Sequence, residues 1–127
     1  MQLKLFSICE GAFNNGGRLT IVNTYDVIHS KTFPLVKAIG VAITIAFDQK
    51  DEGKHCIEMH IENISTNIEV AKMVSDVAIP GDKEGGFLNF ASNVSGLNFK
   101  DPAKYAFNLF VDGNLFGSIV IPVKKVD

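Results

Sequence analysis

The stretch Tyr105-Ala-Phe-Asn-Leu-Phe-Val-Asp-Gly-Asn-Leu-Phe-Gly-Ser-Ile-Val-Ile-Pro122 decides how this chain is read. Two runs rich in β-branched and aromatic residues flank Asp112-Gly113-Asn114, and Asp-Gly between alternating apolar residues is a strong hairpin signal. Both runs are apolar on each face in places. Such a hairpin must be covered by other strands, which places it at the centre of a β-sandwich.

The rest of the chain supplies those strands. Leu3 to Cys9 is strand-like, and the adjacent Leu5 and Phe6 require burial on both faces or a bulge. Asn14-Asn15-Gly16-Gly17 is a turn, and Arg18 to Ile28 reads as one long second strand. Phe33-Pro34 breaks the chain before Leu35 to Phe47, the most hydrophobic run. There Val41, Ile43, Ile45 and Phe47 alternate with Ala42, Thr44, Ala46 and Asp48, a buried strand with small residues on its back. His55 to Ile61 is the clearest one-sided strand. Ile64 to Val74 is open between an edge strand using Ile68, Val70 and Ala71 and a short helix over Glu69 to Val74. Ala78 to Gly86 is a turn-rich loop. Phe87 to Val94 alternates again, and Asp101-Pro102 opens the final hairpin. The fold expected is a single domain over residues 1–127, an all-β antiparallel sandwich of seven to eight strands, immunoglobulin-like or similar.

Composition narrows function. With 46% hydrophobic and 20% charged residues, the chain is an ordinary globule able to build a core without staples. Ten Phe against two Tyr and no Trp favour core filling over an aromatic sugar-binding platform. Net charge is −2, and Lys124-Lys125 is the only adjacent basic pair. From that we expect no nucleic-acid partner. Met1 to Cys9 has a short apolar segment broken by Lys4, unlike a signal peptide, and no run is long enough to span a bilayer. We expect a cytoplasmic chain with no membrane partner and with Cys9 and Cys56 as free thiols. The sequons Asn63-Ile-Ser65 and Asn93-Val-Ser95 have no role outside a secretory route.

A resemblance adds to this. Leu5-Phe-Ser-Ile-Cys-Glu-Gly-Ala12, Gly17-Arg-Leu-Thr-Ile-Val-Asn-Thr-Tyr-Asp26, Phe33-Pro34 and the closing hairpin are similar to a group of small uncharacterised bacterial proteins. The resemblance covers about half the chain and implies a β-sandwich of bacterial origin. It brings no catalytic residue. Tyr105 also resembles the corner Tyr that opens the penultimate strand of immunoglobulin-like sandwiches, although the Cys-Trp-Cys signature is absent.

Candidate chemistry is sparse. Cys56, Glu58, His60 and Glu62 share one strand face, and these residue types bind transition metals. Same-face neighbours lie roughly 6.5–7 Å apart, so at most two can share one ion. A solvated face therefore explains them better, with Cys56, Glu58 and His60 kept as weak metal candidates. Cys9 reads as a small buried thiol rather than a nucleophile. Ser92, Ser95 and Ser118 lack a nucleophile-elbow context. Asp48 to Glu52 lacks calcium-loop spacing, and Gly81 to Gly86 is not a phosphate loop. Arg18 and Asp26 are read as a structural pair, Asn89 and Asn93 as exposed.

The function expected is a non-enzymatic binding or assembly module with no cofactor. Phe87, Phe110 and Phe116 exceed what one core buries and mark an interface, with a homo-oligomer or a protein partner. The alternatives are a metal-binding or metal-assisted protein using the Cys56 strand face, and a carbohydrate-binding module.

Overall fold

In a computed structural model, which describes residues 1–81 and 84–127, the alternating segments become nine strands. They are β1 (Gln2–Asn15), β2 (Arg18–Thr24), β3 (Ile28–Ser30), β4 (Leu35–Phe47), β5 (Gly53–Asn63), β6 (Ile68–Ile79), β7 (Gly86–Phe99), β8 (Ala103–Val111) and β9 (Asn114–Lys125). A 3-10 turn at Gln49–Asp51 joins β4 to β5. The sheets run β2-β1-β4-β7 and β3-β9-β8-β5-β6. Their inner faces close over one core built from Ile8, Ile43, Ile57, Met59, Phe99, Phe107, Leu109 and Ile121. Each such side chain taken fully out of water contributes roughly 1.5–3 kcal/mol.

The terminal hairpin sits within the five-stranded sheet, as its apolar faces require. Asp112 and Gly113 both adopt positive φ, 50° and 82°, the geometry of a two-residue turn that matches strand twist. Tyr105 is buried and its hydroxyl donates to the Asp101 carbonyl at 2.6 Å, the corner contact its position suggested. Leu5 and Phe6 pair in register with Thr44 and Ile43, so they face opposite ways and both are covered: Phe6 packs on the main core and Leu5 on a smaller second one, while the bulge falls earlier, between Leu3 and Leu5.

Four expectations change in detail. Nine strands replace seven to eight. The expected strand over Arg18 to Ile28 is two strands in different sheets. Asn23 takes φ 48° and donates to Glu10, which turns the chain out of the first sheet before Ile28 enters the second. The sandwich is not wholly antiparallel, because β3 lies parallel to β9. Finally, Ile68 to Ile79 is strand throughout, paired with β5, which settles the open segment and shortens the loop expected over Ala78 to Gly86. Within that loop Asp82 and Lys83 lie outside the described residues.

The small back face of β4 has a use that the alternation alone did not give. Past Cys9, β1 crosses over β4 at Gly40, where an added Cβ would meet the backbone of Ala12 and Gly11 at 2.7–2.8 Å. Cys9, Ala12 and Ala42 pack there as a second small core, flanked by Leu5, Leu19, Ile21 and Ala91. Asn93 secures the crossing from β7: its amide oxygen accepts from Ala12 N–H at 3.0 Å and its NH2 donates to Ala12 C=O at 2.8 Å. Asn89 donates to the Gly17 carbonyl at 2.7 Å, while Asn14 donates to the Asn89 carbonyl at 3.0 Å. The two asparagines are therefore clasps for the β1–β2 hairpin rather than free surface.

Candidate functional site

The predicted face of β5 is real, and it is a hydrogen-bonded ladder. His60 Nε2 lies 2.9 Å from Glu58 and its Nδ1 lies 3.5 Å from Glu69 on β6. Lys72 approaches Glu58 at 3.8 Å, and the His60 ring packs against Phe110 with centroids 4.9 Å apart. Glu62 accepts from Asn108 at 3.5 Å, and Asn108 accepts from Ser118 at 2.6 Å. The hydrogen bond from His60 holds the Glu58 carboxyl below its usual range. Cys56 is held the other way: desolvation and the Glu58 charge push its thiol up, and it donates to Glu58 at 3.7 Å. Among the described residues no three His, Cys, Asp or Glu side chains form a group that could hold a metal ion. Cys56 and His60 both spend contacts on Glu58 between them.

The remaining candidates scatter. Cys9 is fully buried, donates to the Gly11 carbonyl at 3.2 Å, and burial raises its pKa. Both cysteines are free. Arg18 and Asp26 make no ion pair with each other among the described residues. Of the three Phe, Phe87 is 65% exposed. Phe116 packs on the core and Phe110 rests against His60, so neither is open surface.

A more concave site lies between the two sheets, away from every motif read from the sequence. Strand β6 ends one sheet and β7 ends the other, each with one neighbour among the described strands, so each has a free edge. Between them opens a cleft of about 500 Å³. Met59, Met73, Ile57, Ile43, Phe90 and Val94 supply an apolar floor, and Ser75, Ser92, Asn93 and Ser95 a polar rim. A second hollow of about 350 Å³ lies where Ile68, Glu69 and Val70 of β6 approach Asn98 and Lys100, with Tyr105 at its wall. The two lie on the same β6–β7 side of the sandwich and form a long seam. Val74 and Ile68, 58% and 64% exposed, stand on its β6 side.

At the Asp112 turn, His55 joins three elements. Its Nδ1 meets Asp112 at 2.5 Å and its Nε2 meets the Asp51 carbonyl at 2.6 Å. Asp112 also accepts from Cys56 N–H at 2.9 Å. These contacts raise the His55 pKa, chiefly through Asp112, and lower that of Asp112, chiefly through His55. With both ring nitrogens occupied, this histidine fastens the hairpin.

With fold and site in hand, relationship becomes clear. The chain is an all-β sandwich of a class defined by sequence. It belongs to a family of unknown function (DUF6941), whose pattern matches residues 4–124. No curated protein matches its sequence. Among solved structures it is similar to the Pseudomonas fluorescens alkylpurine DNA glycosylase AlkC bound to DNA containing an abasic site analog. The TM-score is 0.54 at 14% identity, over 94% of this chain and 30% of the glycosylase, so the likeness is one of fold. The chain spans about a third of that protein's length.

This finding overturns the expectation of no nucleic-acid partner, because the fold occurs in a protein solved on DNA. That expectation rested on net charge and on runs of neighbouring basic residues, neither of which registers that strand pairing sets His29 beside Lys124 from distant parts of the chain. No helix among the described residues is long and apolar enough to cross a membrane.

Proposed function

We propose that the chain is a non-enzymatic binding module that takes an extended polypeptide segment along the seam between β6 and β7. The observation that carries this reading is the pair of free strand edges flanking an apolar-floored cleft of about 500 Å³. Free edges offer rows of backbone N–H and C=O groups, and an extended segment satisfies them by strand addition. Alternate side chains of that segment then point to the Met59–Met73–Phe90 floor. The two methionines suit such a role, since their unbranched thioethers adapt to different side chains. The non-enzymatic part rests on the thiols: both are pushed up in pKa, away from the thiolate a nucleophile needs.

Selection of displayed random peptides on the protein, followed by amide chemical-shift mapping, tests this. Selected peptides are expected to alternate apolar residues and to shift amides of Met73–Ser75 and Ser92–Ser95. Met73→Glu, which sets a charge on the floor, is expected to weaken them at least about tenfold, or 1.4 kcal/mol. Peptides that bind Met73→Glu as well as the wild type, or that shift the His60 face instead, would sink the proposal.

A further inference from the structure

We propose that the β3–β9–β8 corner of the five-stranded sheet contacts the phosphate backbone of a nucleic-acid duplex, a site independent of the seam. Register builds it. His29 lies beside Lys124, and Lys104 lies opposite Pro122, two residues along β9 on the same face. Ile28 and Val123 are 3% and 2% exposed, so they point into the core and their neighbours His29 and Lys124 point out. Lys31, just beyond β3 and two residues from His29, is exposed as well, and the exposed Lys125 at the end of β9 takes the side opposite Lys124. Lys31, Lys104, Lys124 and Lys125 make no ion pair among the described residues.

Acidic side chains gather elsewhere. Glu58, Glu62, Glu69 and Asp76 occupy the β5–β6 part of the same sheet, and Asp48, Asp51 and Glu52 the turn before β5. From β9 to β5 is two strand spacings, about 10 Å, close to one Debye length at physiological salt. The acidic strip therefore leaves the Lys124 side of the corner largely uncancelled. Glu62 is the nearest of the group to Lys104, and it already accepts from Asn108. Asp26, Asp101 and Asp127 stand near the corner in sequence but lie outside the register of its face. A net charge of −2 thus conceals a cationic corner.

The chemistry of the corner selects its partner. Lysine ammonium groups bind phosphate as compact point charges. Between them the face carries Pro122, Ala106 and Val120, and the His29 imidazole is a single ring at its edge rather than a platform for successive unpaired bases. Backbone contact with a duplex fits that make-up, and reading of unpaired bases does not.

The test is fluorescence anisotropy with a labelled mixed-sequence DNA duplex of about 20 base pairs, with salt raised from about 50 to about 200 mM. Three phosphate contacts predict a fall in affinity of about 40-fold across that range. The triple variant Lys31→Gln, Lys104→Gln, Lys124→Gln is expected to bind at least about tenfold more weakly with a flatter salt slope. Lys50→Gln with Lys54→Gln, on the acidic side, is expected to bind like the wild type. Circular dichroism melts check that both variants fold. Three results would overturn the proposal: no duplex binding by wild type at the lower salt, equal binding by the triple variant, or equal loss in the control. Binding to phosphatidylserine-containing vesicles with none to the duplex also overturns it, and reassigns the corner to a membrane surface.

Discussion

Replacing Gly40 by alanine tests how the β1–β2 hairpin is held. The new Cβ would stand 2.7 Å from Ala12 N and 2.8 Å from Gly11 Cα and C, all backbone atoms that cannot rotate away. Ordinary contact starts near 3.4 Å, so β1 must lift by about 0.7 Å. That lift strains the Asn93 clasp, whose bonds to Ala12 are 3.0 and 2.8 Å. Lengthened by that much, both leave the 2.7–3.2 Å range of sound N–H···O bonds. Two lost bonds cost about 0.5–1.5 kcal/mol each, and crowding adds about 1–3 kcal/mol. The expected total is about 3 kcal/mol, a fall in Tm of about 10–15 °C for a chain of this size. Urea and thermal unfolding of wild type, Gly40→Ala, Asn93→Ala and the double variant measure it. Because Gly40→Ala already breaks the clasp, the double variant should be little worse, a coupling of about 1–2 kcal/mol. A Gly40→Ala protein within about 0.5 kcal/mol of wild type, or full additivity, would refute the crossing as the constraint.

The His55 clamp and the covered Cys9 thiol each carry a measurable consequence. The His55 pKa is raised above 6.5, so the stability from its contacts is complete below that value and lost as pH rises through the folded-state value. The Asp112 pKa is lowered below 3.8, so its contribution is complete above 3.8 and lost as pH falls through the folded-state value. The Tm advantage of wild type over His55→Gln should therefore be greatest between pH 3.8 and 6.5 and shrink above it; parallel profiles in fluorimetric melts would exclude the clamp. Thiol titration of the native protein should find Cys56 accessible but slow, its thiol being pushed up, and Cys9 silent until unfolding, since Cys9 is 0% exposed beneath the hairpin. Fast reaction of both thiols would mean that the hairpin does not cover it.

Much of the fold was legible because its signals are local. Asp112-Gly113 announces a hairpin through the positive φ its turn requires, and Ile39 to Phe47 announces a buried strand through its two-residue period. The break at Asn23 was missed because asparagine tolerates both extended and left-handed backbone, so its local preference does not choose between them. Asn89 and Asn93 looked exposed for a similar reason: Gly17 and Ala12, which their amides clasp, lie on a hairpin more than seventy residues away in sequence.

The candidate sites were less legible. Period two placed Cys56, Glu58, His60 and Glu62 on one face, but the bonds that Cys56 and His60 make to Glu58 depend on rotamers that spacing does not set. The seam was not legible, because only the order of strands in the two sheets makes β6 and β7 the edges that flank Met59 and Met73. By itself the sequence determined that this is an all-β chain with apolar strands at known places, because side-chain alternation and turn conformation are properties of neighbouring residues. Only tertiary structure decided which strands end the sheets, that β1 crosses Gly40, and that His29 meets Lys124. Those facts depend on pairing between segments far apart in the chain, which no local preference encodes.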